Sequence, residues 1–185
     1  MNNKSAQHTL QVAGIRPTSL FDGEGVNMTI FLQGCSHTPK CKGCQNPSTH
    51  SKTGGKKMTV TQIFEEVKKS KLVKGITFSG GEPLDQYEAI VELTRRIHVA
   101  GLKVTLYTGY VISSPECCYD LSMFNFIVDG RYDCTQKDYS NAMLGSKNQR
   151  FLRREYNSPG LFTDIHTGSL VRQYISTGEK KAGLK

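Results

Sequence analysis

Cys35, Cys41 and Cys44 fall within ten residues at the spacing C-x5-C-x2-C. Three thiolates that close in one loop can hold a single metal centre. No fourth cysteine is near; the others are Cys117, Cys118 and Cys134. Three outcomes suit the loop. A 4Fe–4S cluster needs an outer ligand on each iron, so three cysteines leave one iron open to a small molecule. A structural zinc ion would take a histidine as its fourth ligand, either His37 or the better spaced His50. The thiols could also bind no metal. The loop alone does not choose among these.

A second stretch bears on that choice. Ser79-Gly80-Gly81-Glu82-Pro83 follows a short apolar run, Ile76 to Phe78. Paired glycines let a backbone approach a ligand closely, and their amides can face a carboxylate. Glu82 can accept from an amine. An α-amino acid offers both groups. A Gly-Gly turn after a strand is by itself often only a turn. One β-α unit after a three-cysteine loop, it points to a ligand with an amino-acid end.

These residues need elements to position them. Met28 to Leu32 is β-branched and aromatic, and is bounded by Gly25 and Gly34, so it predicts a strand that runs into the cysteine loop. Asn46 to Lys57 reads as a loop. Thr59 or Thr61 predicts a helix start, and Val60, Ile63, Phe64 and Val67 repeat with the helical period. Ile76 to Phe78 is the second strand. Asp85 can cap a second helix with the stripe Ala89, Ile90, Leu93, Ile97 and Ala100, ended by Gly101. Val104 to Tyr107 is the third strand, a short helix is expected within 114–122, and Phe124 to Val128 is the fourth strand.

The order β-α-β-α-β-α-β predicts an α/β fold with a parallel sheet. All the unusual turns follow strand ends: the cysteine loop, Gly80 to Pro83, Thr108-Gly109 and Asp129-Gly130. Ligands of parallel α/β folds bind at the carboxyl ends of strands. One composite site is therefore expected there, with Ser79, Thr108 and Asp129 as further contacts. Residues 151–185 carry no clear assignment beyond a turn at Asn157 to Gly160.

The chain has 185 residues, 37 % apolar and 22 % charged, which suits one globular domain over 1–185. Its core is expected over about 18–151, with loose tails at 1–12 and 176–185. No apolar run approaches a membrane span. Met1 to Ser5 lacks the apolar block of a signal peptide, so a cytoplasmic location with reduced thiols is expected. Lys and Arg exceed Asp and Glu by 24 − 16 = +8. The lysines are scattered and no nucleic-acid motif accompanies them, so they read as a solvated surface or a docking face for an acidic partner.

The three-cysteine loop combined with Gly80-Gly81-Glu82-Pro83 resembles the radical S-adenosylmethionine superfamily. Four stretches resemble more closely its anaerobic ribonucleoside-triphosphate reductase activating proteins. They are Asp22-Gly23-Glu24-Gly25, Cys44-Gln45-Asn46, Leu106 to Tyr110, and Val128-Asp129-Gly130-Arg131 with Gly145 to Arg150. The resemblance covers about residues 18–151. It implies an open partial (β/α)6-type barrel of parallel strands, with cluster and cofactor at the C-terminal strand edge. It also implies a 4Fe–4S cluster on Cys35, Cys41 and Cys44 and S-adenosylmethionine on its open iron. Gly80, Gly81 and Glu82 would take the amino-acid end of that cofactor.

The implied activity is that of a glycyl-radical-enzyme activase. Reductive cleavage of S-adenosylmethionine would lead to a glycyl radical on the large subunit of the reductase. An electron donor such as a flavodoxin or thioredoxin system would be the other partner, with no membrane and no nucleic acid. Two departures stand out. The family loop is usually C-x3-C-x2-C, and an aromatic residue often precedes the third cysteine, near the adenine. Here that residue is Gly43, so adenine contacts are expected from the backbone of Gly43 to Gln45. His37 and His50 then fall to surface or loop-packing roles. Two rivals remain: a radical enzyme acting on another protein or a small molecule, and a zinc-stabilised nucleic-acid-binding module.

Overall fold

The computed structural model describes residues 8–138, 140–141 and 143–175. Among these residues the strands are β1 (Thr9–Ser19), β2 (Asn27–Leu32), β3 (Lys56–Thr59), β4 (Gly75–Gly80), β5 (Lys103–Thr108), β6 (Phe126–Asp129), β7 (Arg150–Arg154), β8 (Leu161–Asp164) and β9 (Leu170–Arg172). The two α-helices are α1 (Val60–Lys69) and α2 (Tyr87–Val99). All nine strands form one sheet in the order β3-β1-β2-β4-β5-β6-β7-β8-β9. The central strands β2, β4, β5 and β6 run parallel. The strands on either side pair antiparallel.

The α/β class and the parallel centre agree with the sequence reading, and all four expected strands are present. The sheet as a whole is mixed, so an all-parallel barrel with six strand–helix units is not what these residues build. The helix expected within 114–122 does not form. That crossover closes by tight turns, Ser114 N–H to Val111 O at 2.9 Å and Cys117 N–H to Ser114 O at 3.0 Å. Ile112, Cys117, Leu121 and Phe124 are buried there and cover the sheet without helical spacing.

The expected N-terminal tail is also corrected in part. Thr9 begins a strand, and Leu10 and Val12 are buried core residues. Residues 1–7 and 176–185 of the expected tails lie outside the described residues. β3 occupies part of the stretch expected to be a loop, pairing with β1 at the sheet edge. Its Lys56 and Lys57 are exposed, as are Leu170 and Arg172 of β9 at the opposite edge.

Local signals explain the helices. Thr59 caps α1 in a capping box: its Oγ1 accepts from Gln62 N–H at 3.1 Å, and Gln62 Oε1 accepts from Thr59 N–H at 2.9 Å. α2 starts from Gln86, not Asp85, after a short 3-10 turn over Pro83–Gln86. Ala89, Ile90, Leu93 and Ile97 of α2 are buried beside Val60, Ile63 and Val67 of α1.

Side chains alternate across the sheet with period two. Met28, Ile30, Ile76, Phe78, Val104, Leu106 and Ile127 join the core under the helices. Their neighbours Phe126 and Val128 face the other way, into a smaller cluster with Phe151 and Leu144. The register levels the strand ends. Leu32 pairs with Gly80, Phe78 with Leu106, and Thr108 with Asp129. The loops after β2, β4, β5 and β6 therefore leave the sheet along one line.

Candidate active site

A cavity of about 400 Å³ opens at this line of strand ends. Phe31, Ser79 and Tyr107, which alternate with core residues on their strands, line it. It thus lies on the face of the sheet away from the helices. The cysteine loop contributes Cys35, Cys41, Cys44 and Gln45, and the end of β4 contributes Gly80, Gly81 and Glu82. Thr108 and Gly109 enter from β5, and Gly130, Arg131 and Tyr132 from the loop after β6.

Every candidate site residue named from the sequence lines this cavity except Gly43 and Asp129. Gly43 has φ +68, and a β-carbon there would lie 3.0 Å from Cys134 Cβ. Glycine is needed at that position for conformation and for space. Asp129 is directed elsewhere. Its Oδ1 accepts from Arg150 Nε at 2.9 Å, and its Oδ2 accepts from Ile112 N–H at 2.9 Å and from Arg150 Nη2. That carboxylate fixes the end of β6 to β7.

Cys35, Cys41 and Cys44 open onto one cavity, an arrangement that fits a 4Fe–4S cluster. A four-iron cube takes thiolates at separate corners, and three thiols sharing a cavity wall fit that with one corner open. Burial pushes the Cys35 thiol above its ordinary value, while the backbone N–H of His37 and the charge of Lys40 offset part of that rise.

The cysteine loop is held along its length. Gly34 N–H donates to Thr49 O at 2.8 Å, and Gln33 Nε2 donates to Ser51 O at 2.7 Å. Within the long first gap, Ser36 Oγ donates to Asp85 Oδ1 at 2.5 Å, Lys40 Nζ to Cys35 O, and Arg131 Nη2 to Pro39 O. The five-residue gap is thus tied to the turn after β4 and to the loop after β6. Cys44 N–H donates back to Cys41 O at 3.2 Å, and Asn46 N–H points at Cys44 Sγ at 3.4 Å.

The Gly-Gly turn joins β2 to β4 more than it presents amides. Gly81 N–H donates to Leu32 O at 2.9 Å, and Glu82 N–H to Gly34 O at 2.8 Å. Glu82 is 1 % exposed, with a carboxylate fully engaged by protein donors. One of them is His37, which the sequence reading had left to the surface or to loop packing. Arg131, Tyr132 and Tyr107 were also missed as cavity residues. Arg131 and Tyr107 belong to the signatures Val128 to Arg131 and Leu106 to Tyr110, and Tyr132 adjoins the first, which was the available signal. Burial pushes the Tyr107 phenol up, and it donates to Met143 O at 3.1 Å.

Residues 21–152 match a family model described as a 4Fe-4S single cluster domain. Over 143 residues the chain is 31 % identical to the anaerobic ribonucleoside-triphosphate reductase-activating protein of Escherichia coli (strain K12), spanning 72 % of this chain and 92 % of that protein. It is 29 % identical over 143 residues to the protein of the same name from Vibrio cholerae, spanning 72 % of this chain and 91 % of the relative. The pyruvate formate-lyase-activating enzyme of Clostridium pasteurianum is 31 % identical over 112 residues, 57 % of this chain and 46 % of that enzyme. The match reaches from the turn before β2 into β7 and includes all three loop cysteines. The chain therefore belongs to the 4Fe–4S single cluster family of anaerobic ribonucleoside-triphosphate reductase-activating proteins.

Proposed function

We propose that this protein activates an anaerobic ribonucleoside-triphosphate reductase by placing a glycyl radical on its large subunit. A 4Fe–4S cluster with bound S-adenosylmethionine supplies the chemistry, reductive cleavage of the sulfonium followed by removal of a glycine hydrogen. Cys35, Cys41 and Cys44 hold the cluster and leave one iron open. Ser79, Gly80 and Gly81 receive the amino-acid end of S-adenosylmethionine at the end of β4, with Glu82 and Thr108 behind them. Cys44 and Gln45 flank the nucleoside end. The surrounding strand ends orient the reacting groups and exclude water.

One observation carries the proposal: the three-cysteine loop and the Gly80 to Glu82 strand end wall the same cavity. The helix-free face supports an open partial barrel, with β2, β4, β5 and β6 as its parallel staves. Such a face admits a glycine loop from a large partner. The whole chain acts as one radical S-adenosylmethionine domain in the cytoplasm, drawing its electron from a flavodoxin or thioredoxin system. Among the described residues no helix is long and apolar enough to cross a membrane. The reductase is favoured over pyruvate formate-lyase as target because the chain covers 92 % of the first relative and 46 % of the second.

The test is anaerobic reconstitution with iron and sulfide, followed by mixing with S-adenosylmethionine, a reductant and a cognate class III reductase. A brown chromophore that reductant bleaches, then a glycyl radical signal by electron paramagnetic resonance, is the expected result. A colourless protein would refute the cluster. A loaded protein that cleaves S-adenosylmethionine yet leaves the reductase without a radical would refute the target.

A further inference from the structure

Glu82 sits 1 % exposed behind the cavity wall, and each oxygen accepts twice. Oε1 accepts from Leu84 N–H at 3.0 Å and from Thr108 Oγ1 at 2.9 Å. Oε2 accepts from Gly109 N–H at 2.8 Å and lies 2.7 Å from His37 Nε2. A carboxylate offers about four acceptor sites, so all are used. Because it has no hydrogen to give, His37 Nε2 is the donor in this pair. Three of the four donors belong to the ends of β4 and β5 and the turn between them. His37 alone comes from the cysteine loop, two residues past Cys35.

The histidine is built into place. Its side chain is 13 % exposed. Its ring lies against Tyr110 with centroids 4.7 Å apart. It also lies over Gly109, where a β-carbon would come within 2.9 Å of His37 Cδ2. A side chain on Gly109 would expel the ring. The contact pins the first half of the cysteine loop to two strand ends at once. A buried carboxylate makes that tie strong, since bonds to charged groups exceed neutral ones and a lost donor leaves the charge short of a partner.

We propose that His37 is a positioning residue whose N–H, donated to Glu82, holds the Cys35 side of the loop over the end of β4. This rests on the reading of the loop as a cluster site beside an S-adenosylmethionine site. Glu82 then works mainly through the loop. With its four sites filled, it cannot also accept the ligand's ammonium group unless one donor leaves. The pair fixes the Cys35 side of the loop relative to the strand end that would take the amino-acid end of the ligand. The long first gap in C-x5-C supplies the slack that lets His37 turn inward while Cys35 and Cys41 face the cavity.

Two full-length variants separate the donor from the ring. His37→Phe keeps a ring against Tyr110 and removes the donor. His37→Gln removes the ring and keeps an N–H at similar reach. Wild type and both variants are reconstituted anaerobically, then compared for cluster content and for S-adenosylmethionine affinity by equilibrium dialysis. The change that S-adenosylmethionine causes in the paramagnetic resonance spectrum of the reduced cluster is a further readout. The Phe variant is expected to bind about tenfold more weakly with a diminished spectral change, and the Gln variant to stay within about threefold of wild type.

In the cluster-free proteins, alkylation of Cys35 is expected to run about threefold faster in the Phe variant than in the other two. These rates decide alone if the Phe variant does not load. Wild-type behaviour of the Phe variant overturns the proposal, as does a Gln variant impaired as much as Phe. A loaded wild type that does not bind S-adenosylmethionine overturns the functional reading instead.

Discussion

A β-carbon on Gly81 would stand 2.6 Å from the carbonyl carbon of Gly34 and 3.0 Å from the carbonyl oxygen of Thr49. Both neighbours are backbone and cannot swing aside. Gly81→Ala must push the end of β4 away from the root of the cysteine loop, breaking the 2.8 Å bond from Glu82 N–H to Gly34 O. The expected cost is about 2 kcal/mol of stability, read by urea unfolding of the cluster-free protein. Iron and sulfide content after reconstitution should also fall, because the loop loses its seat. A variant with wild-type cluster content would show that the loop does not depend on this contact.

Cys35→Ala, Cys41→Ala and Cys44→Ala should each remove the cluster chromophore, since a cube with two thiolates is poorly held. Cys134→Ala is the informative control. Its sulfur packs against Gly43, 3.5 Å from where a β-carbon would be, yet it does not line the cavity. Cluster content in Cys134→Ala should match wild type. Loss of the chromophore there would make Cys134 a ligand.

Asp129 was read from the sequence as a contact of the cofactor, and its geometry predicts a different phenotype. Asp129→Ala strands the Arg150 guanidinium and frees Ile112 N–H, which Asp129 accepts at 2.9 Å. Breaking such a pair costs about 3 kcal/mol, measured as a lower urea midpoint. A variant that unfolds at the wild-type midpoint but no longer binds S-adenosylmethionine would return Asp129 to the cavity.

Cys117 and Cys118 are neighbours with opposite surroundings. Cys117 is fully buried, and burial pushes its thiol from an ordinary 9.0 to about 12. Cys118 is exposed. Iodoacetamide at mildly alkaline pH should label Cys118 and spare Cys117, as peptide mapping would report. The raised value also has a thermodynamic sign. The fold favours the neutral thiol, so this contribution to stability is intact below about pH 9 and is lost as pH climbs towards 12. The urea midpoint should fall over that interval, less steeply in Cys117→Ala.

The readable parts of this protein are those set by residue type at short range. Met28 to Leu32, Ile76 to Phe78 and Val104 to Tyr107 are apolar runs closed by glycine turns, and they became the parallel centre. The three cysteines and the paired glycines were legible because their chemistry depends on spacing along the chain. The antiparallel arms were not. Arg150-Phe151-Leu152-Arg153-Arg154 and Lys56-Lys57-Met58-Thr59 are strands because a neighbouring strand offers them a ladder, not because of their own composition. β1 was masked further by shifts in its pairing with β2 between Val12 and Gly14 and between Arg16 and Ser19.

Loop packing holds for His37, but its bond to Glu82 was hidden for a similar reason. Its role is fixed by a carboxylate 45 residues away. Asp129 looked available because its partner Arg150 lies across a strand pair that periodicity did not reveal.

A sheet that stops must also be kept from continuing in another molecule. β3 and β9 end this one, each with one side of its backbone unpaired by any strand among the described residues. Lys56 and Lys57 stand exposed on the first edge and Arg172 on the second. Like charges on both borders make edge-to-edge stacking of two copies repulsive. Part of the excess of +8 therefore needs no acidic partner. It acts as insulation, keeping a wide open sheet from templating its own aggregation while the face with the cysteine loop stays free.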